Sequence, residues 1–365
     1  MPSFLKNFDW PLLAGVLLLT IVGVMMIYST GLADTGSSGL WVRQILALCF
    51  GMVGLFFFAS LDYRFLRKNG MVMWVLSLLL LGGLFLFGAE IRSSHRWYNL
   101  WLFNFQPSEF AKLALIIFLA KFFQEKKPFL VKFPYLLWSL IFVILPVALI
   151  IVQPDLGSGA VLIAIWLGML ILAKPPRRFF LYLMVSFLVL AAVSWQFFLA
   201  DYQKDRLKTF LDPTADPLGR GYNVIQSIVA VGSGGVYGRG LARGLQSQLR
   251  FLPERQTDFI FASTVEELGL LGGVLVVVLF VFVMFRLLRI MNRSQDLFGM
   301  YLAGGIFFLV LTQFVVNVGM NLGLLPVTGI TLPFLSYGGS SLVTMLWLIG
   351  IALSISRYSA PVRFE

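Results

Sequence analysis

The chain has 365 residues, of which 59% are hydrophobic and 12% charged, with mean hydropathy +0.89 and a formal net charge of +11. Soluble domains hold about 45–50% apolar residues and about 25% charged ones, so this composition excludes a soluble enzyme, a disordered chain and a secreted disulfide scaffold. One cysteine, Cys49, and one histidine, His95, exclude an internal disulfide and thiolate or histidine-cluster metal sites, and argue against a Ser-His-Asp triad. The basic excess forms no soluble patch, so nucleic acid is not an expected partner. What remains is a polytopic membrane protein in contact with membrane lipids.

A crossing helix needs ~20 mostly apolar residues. Ten stretches qualify, at roughly 10–29, 42–60, 71–89, 107–123, 134–152, 156–173, 179–199, 261–285, 297–319 and 338–356. The first follows a lysine, as a signal peptide would, and Gly31-Leu32-Ala33 is weakly cleavage-like. Its apolar run is long for a signal, and it is read as a retained first helix. Gln153-Pro154-Asp155 joins the fifth and sixth spans as a tight hairpin.

With the N-terminus in the cytoplasm, the inner connections and tails hold sixteen Lys and Arg, while the short outer loops hold Arg92 and Arg96, with Arg43 at a helix mouth. Charge bias and even span number agree on two cytoplasmic termini. The expectation is an all-α polytopic membrane protein, with residues 1–365 as one membrane domain of ten transmembrane helices. A long extracytoplasmic loop at 200–260 separates the seventh and eighth spans. Loops of that length are usually functional. Within it, residues 222–231 have an apolar face at helical spacing and are expected to lie on the membrane.

Several polar groups stand out against this background. Gln106-Pro-Ser-Glu109-Phe-Ala-Lys112 opens the fourth span with Pro in the first turn and an acid near the helix N-terminus. Glu109 and Lys112 are three apart, share a face and can pair; they read equally as a structural ion pair or as a site, since ionisable groups at membrane depth mark pathways and sites. Asp155 repeats the Gln-Pro-acid pattern. Asp258, at the junction of the long loop and the eighth span, reads either as an N-cap or as a general base. Ser263-Thr-Val-Glu266 matches a capping box, which makes Glu266 structural, and Glu267 is ambiguous. The glycine run 232–240 is a tight turn or, with Arg239 and Arg243, a phosphate cradle. His95 beside Arg96 and Trp97 reads as an interfacial anchor. The segment 324–341, with two prolines, several glycines and many hydroxyls, is irregular backbone at membrane level, tolerated where it lines a polar cavity.

Four motifs in order carry a resemblance: Gln106-Pro-Ser-Glu-Phe-Ala-Lys; Gln153-Pro-Asp-Leu-Gly; Phe251-Leu-Pro-Glu-Arg-Gln-Thr-Asp-Phe-Ile-Phe-Ala followed by Glu266-Glu-Leu-Gly; and Leu335-Ser-Tyr-Gly-Gly-Ser-Ser. From about residue 10 to 356 the chain resembles the SEDS family, the shape, elongation, division and sporulation proteins. Residues 201–222 resemble its RodA-type elongation branch more than the FtsW-type division branch. Where RodA proteins often have histidine before the Thr-Asp, this chain has Gln256.

The resemblance implies a ten-span fold and a peptidoglycan glycosyltransferase that polymerises lipid II alongside a class B penicillin-binding protein in the bacterial inner membrane. It places the family's essential acid at Asp258. The substrate cavity is then expected to involve Glu109, Lys112, Asp155, Arg96, Gln106, Ser336 and Ser340, with a divalent cation, Mg or Mn, as an open question. A lipid II flippase is the alternative reading. It would need alternating access from both faces, and no comparable charged set lies at the cytoplasmic mouths.

Overall fold

The computed structural model describes residues 8–32, 39–91, 94–99, 104–127, 130, 132–193, 196–197, 204, 209–213, 216, 219 and 221–359. Ten of its helices are long: α1 (Trp10–Gly31), α2 (Leu40–Ser60), α3 (Arg64–Phe87), α4 (Pro107–Lys126), α5 (Phe133–Val152), α6 (Leu156–Ala173), α7 (Arg177–Val193), α10 (Ile260–Arg293), α11 (Leu297–Asn321) and α12 (Gly339–Ser359). Short α8 (Tyr222–Ser233) and α9 (Leu245–Gln248) lie in the long connection. Each expected stretch falls on one of the ten. Eight are long and apolar enough to cross a bilayer; α4, which carries Glu109, Lys112, Lys121, Glu125 and Lys126, and α7, with 17 residues, fall outside that count.

The connection between α3 and α4 departs from the all-loop expectation. It forms a small antiparallel sheet, β1 (Ala89–Ile91), β2 (Ser94–Asn99) and β3 (Asn104–Phe105), in the order β1-β2-β3. Tyr98 Oη pins it to α3 by donating to the Leu80 carbonyl at 2.9 Å. The side chains of Arg92 and His95, and most of residues 194–220, lie outside the described residues.

α12 is the central helix, with 78% of its apolar window buried against 22% for α2, which runs along it. Small residues allow that closeness, as in membrane bundles generally: a Cβ on Gly350 would lie 2.4 Å from the Leu55 carbonyl oxygen. α1 packs against α10 as an integral part of the bundle, and α11 packs against α4, α6 and α10. α8 packs one side onto the bundle and leaves Ile228 and Val229 exposed on the other. Val224, Ser227 and Ala230 are buried, and the helix packs against α10 and α11.

α10 is broken at Gly269, whose φ of 71° and ψ of −172° are open only to glycine. The amides of Leu270 and Leu271, which a continuous helix would pair with the carbonyls of Glu266 and Glu267, instead bond to the carbonyls of Gly235 and Val236 at 2.9 and 3.3 Å. The abandoned carbonyls accept from the amides of Arg239 and Gly240, both at 3.0 Å. The glycine run is therefore a backbone splint for a broken helix. Its amides at 239 and 240 are occupied by protein, which overturns the phosphate-cradle reading and keeps the turn.

Candidate active site

The end of the bundle that bears the long connection contains a cavity of about 1680 Å³. The start of α4 forms one wall. Gln106 precedes the helix in extended conformation, and Pro107 and Ser108 open it. Glu109 and Lys112 follow, both buried, with Lys112 Nζ donating to Glu109 Oε1 at 2.6 Å. The other carboxylate oxygen, Glu109 Oε2, is buried with no hydrogen-bond partner among the described residues, as is the hydroxyl of Ser108. A buried ion pair with an unsatisfied acceptor is costly unless a ligand or water completes it. Here the pair faces the cavity.

The Gln153-Pro-Asp turn supplies a second wall. Asp155 caps α6, its Oδ1 accepting from the Ser158 amide at 3.1 Å. Arg96, reaching from β2, donates to the carbonyls of Gln153 and Pro154 at 3.0 and 2.5 Å. The motif's Gly157 has a steric reason: a Cβ there would lie 2.6 Å from the Thr328 carbonyl oxygen, so it lets α6 meet the 326–331 wall. Ser340, in the first turn of α12, donates to the Asn104 carbonyl at 2.6 Å and accepts from the Gln106 amide at 3.1 Å. It ties α12 to the strand that leads into α4.

Asp258 stands across the cavity, in the turn before α10. The helix is capped by Phe259 with no side-chain cap bond, so the N-cap reading of Asp258 is replaced by a place on the cavity wall. Its carbonyl accepts from the side-chain amides of Asn317 and Asn321 at 3.0 and 2.9 Å.

Six of the seven other residues singled out from sequence line the same cavity: Glu109, Lys112, Asp155, Arg96, Gln106 and Ser340. Ser336 does not. It is buried behind the wall, its hydroxyl accepting from the Leu332 amide at 2.8 Å and donating to the Thr257 carbonyl at 2.6 Å, one residue before Asp258. Glu266 is structural by another route than the expected capping box. Ser263 lies inside α10, and Glu266 instead accepts from the amides of Gln246 and Ser247 and from the Ser247 hydroxyl, at 2.7, 3.1 and 2.6 Å. It thereby caps α9. Glu267 accepts from the hydroxyl of Ser29 and from Gln248 Nε2, fastening the loop to α1.

Sequence reasoning passed over Gln313, Asn317 and Asn321, spaced four apart on α11. Gln313 lines the cavity, and neither of its amide atoms has a partner among the described residues. Their signal was available: amides recurring at helical spacing in an otherwise apolar span. Among the described residues, no three His, Cys, Asp or Glu side chains converge as a metal-ion site.

The chain matches the family model described as "Cell cycle protein", covering FtsW, RodA and SpoVE, over residues 10–360. It is similar to stage V sporulation protein E of Bacillus subtilis (strain 168), 38% identical over 94% of this chain and 95% of that one. Peptidoglycan glycosyltransferase MrdB of Escherichia coli (strain K12) is 36% identical over 96% and 94%. Among solved structures it is similar to a chain from work described as "Structural coordination of polymerization and crosslinking by a peptidoglycan synthase complex". That chain has a TM-score of 0.83 and 33% identity, over 96% of this chain and 98% of that one. The rod shape determining protein RodA of Thermus thermophilus matches with a TM-score of 0.73 and 28% identity, over 99% and 100%. With the family match spanning nearly the whole chain and relatives above 30% identity at full length, this protein belongs to the FtsW, RodA and SpoVE family.

Proposed function

We propose that this protein is a peptidoglycan glycosyltransferase that polymerises lipid II into β-1,4 glycan strands during cell elongation. In this reading all ten long helices cross the bacterial cytoplasmic membrane, both termini are cytoplasmic, and the cavity opens on the outer side. A class B penicillin-binding protein is its partner. The observation that carries the reading is the meeting of Asp258 and the Glu109–Lys112 pair in one cavity. Its volume exceeds the ~300–1,000 Å³ usual for small ligands, which suits the headgroup of a lipid-linked saccharide.

Asp258 takes the proton from the acceptor's GlcNAc 4-hydroxyl as that oxygen attacks the anomeric carbon of the donor. The bond from that carbon to the diphosphate oxygen breaks, undecaprenyl diphosphate leaves with the electron pair, and an α-linked donor becomes a β-linked glycan. A diphosphate needs no general acid. Charge gathering on it is met by Lys112, which Glu109 holds at 2.6 Å, while Arg96 is committed to the 153–154 carbonyls. The carboxylates among the described residues do not gather into a three-donor metal site.

The test is gel analysis of glycan products from purified protein and lipid II, with and without the penicillin-binding partner, with Asp258→Ala alongside and partner binding checked. Polymer from the wild type only is the expected result. No polymer in any condition, together with lipid II crossing liposomes, would replace the enzyme with a flippase.

A further inference from the structure

α11 is apolar along most of its length, yet it keeps Gln313, Asn317 and Asn321 fully buried on one side. Buried amides at membrane depth are costly and persist where they are used. The two asparagines are used on the backbone around Asp258. Asn317 Nδ2 donates to the carbonyl of Asp258 at 3.0 Å and to that of Ile330 at 2.8 Å. Asn321 Nδ2 donates to the Asp258 carbonyl at 2.9 Å, while its Oδ1 accepts from the Ala262 amide at 2.9 Å.

The pairing made by Asn321 has a specific meaning. In a helix the N–H of residue 262 bonds to the C=O of residue 258. A primary amide presents a donor and an acceptor side by side, and Asn321 takes both halves of that missing bond. Its side chain is spliced into the first turn of α10 and holds it open. The helix consequently begins at Ile260, Phe259 adopts φ −108° and ψ 23°, and Asp258 stays in the preceding turn on the cavity wall.

Asn317 adds a cross-tie. By donating to both Asp258 and Ile330 it joins the 254–258 wall to the 326–331 wall, both of which line the cavity. The second wall is close to the reacting group: a Cβ on Gly329 would lie 3.5 Å from Asp258 Oδ2.

We propose that Asn317 and Asn321 are positioning residues, which set the place of the Asp258 carboxylate by splicing open the first turn of α10 and tying it to the facing loop. The proposal rests on Asp258 being the base. Neither asparagine touches substrate; each acts through the backbone of residue 258.

The experiment measures initial polymerisation rates over a range of lipid II concentrations, using the full-length protein in complex with its penicillin-binding partner. Thermal unfolding and partner binding are followed on the same samples. Asn321→Leu removes both halves of the splice while keeping the same branched arrangement of side-chain heavy atoms, and frees residues 258 and 262 to bond with each other. Asn317→Ala removes the cross-tie and the Asn321 Nδ2 bond to Asn317 Oδ1 but leaves both halves of the splice, and decides the matter should Asn321→Leu fail to fold.

The expected result is a fall in kcat on the order of 100-fold, the scale of a ~1 Å misplacement of a reacting group. KM for lipid II stays within about twofold of wild type at that misplacement, in protein that remains folded and partner-bound. Wild-type kcat in the folded variants overturns the proposal, as does a fall that only tracks the fraction of folded protein. Asp258→Ala, run beside them, separates the two levels. If it is dead while the asparagine variants are fully active, the positioning role fails and the base assignment stands; if it polymerises, the base assignment itself fails.

Discussion

Two neighbouring parts of one segment use carboxylates in opposite ways. In residues 263–269 the carboxylates of Glu266 and Glu267 are taken up by loop amides, hydroxyls and the Gln248 side chain, which fixes residues 242–248 on the helix. In residues 254–258 the backbone carbonyls of Thr257 and Asp258 are held, by Ser336 and by Asn317 with Asn321, and Asp258 lines a large cavity. The carboxylates of Glu266 and Glu267 hold the architecture together by accepting from the loop. Asp258, held by its backbone on the cavity wall, is the acid to which the proposed reaction assigns the proton transfer.

The contrast can be broken most sharply at Asp258. Asp258→Asn should lower polymerisation by about 10²–10⁴-fold, the usual contribution of a general base, with folding and partner binding intact; polymer gels would read this directly. Next comes the buried pair. Lys112→Met leaves the Glu109 carboxylate buried alone and should cost about 3–5 kcal/mol in stability, whereas Glu109→Met with Lys112→Met should recover the unfolding temperature and still make no polymer. Recovery of activity in the double variant would remove Lys112 from the reaction.

Gly269→Ala should destabilise by more than about 1–3 kcal/mol, because it puts a side chain at a glycine-only φ/ψ. Its Cβ would also lie 2.3 Å from the Gly238 amide nitrogen. Unfolding in detergent would measure it. On the architectural side, Glu266→Gln should lower stability by about 1–3 kcal/mol while the protein that remains folded keeps its kcat; a large fall in kcat would erase the distinction between the two regions. The smallest effect belongs to Ser336→Ala, about 0.5–1.5 kcal/mol for a lost hydrogen bond, with kcat reduced less than about tenfold because the Asn317 and Asn321 bonds to residue 258 survive.

The helices were legible because a bilayer imposes length and apolarity, and each of the ten stretches overlaps a long helix, eight of them long and apolar enough to cross. The cavity residues were legible where charge sits beside proline at a helix start, as at Glu109, Lys112 and Asp155. Ser336 was misplaced because a hydroxyl in an irregular loop has no periodicity to say whether it faces a cavity or the backbone behind it. The capping box at Ser263 failed for a related reason: residues 251–259 form turns and the helix already begins at Ile260, so Glu266 was free to cap α9 instead. Nothing local in the sequence announces that Gly234 to Gly240 will splint a helix thirty residues later, since the partners meet only once the bundle has formed. The asparagines of α11 were legible and were overlooked, their spacing hidden within a span that is otherwise apolar.

The break at Gly269 has a mechanical consequence. A continuous helix carries twist and tilt from one end to the other through its hydrogen-bond ladder, but here two rungs of that ladder are diverted into residues 235–240. The length of α10 from Leu270 to Arg293 is therefore joined to the stub that begins at Ile260 through residues 235–240 as well as through its own backbone. The start of α10, next to Asp258, is thus registered on the loop that the glycine run forms, and a change in that loop reaches the cavity wall without passing along the rest of the helix.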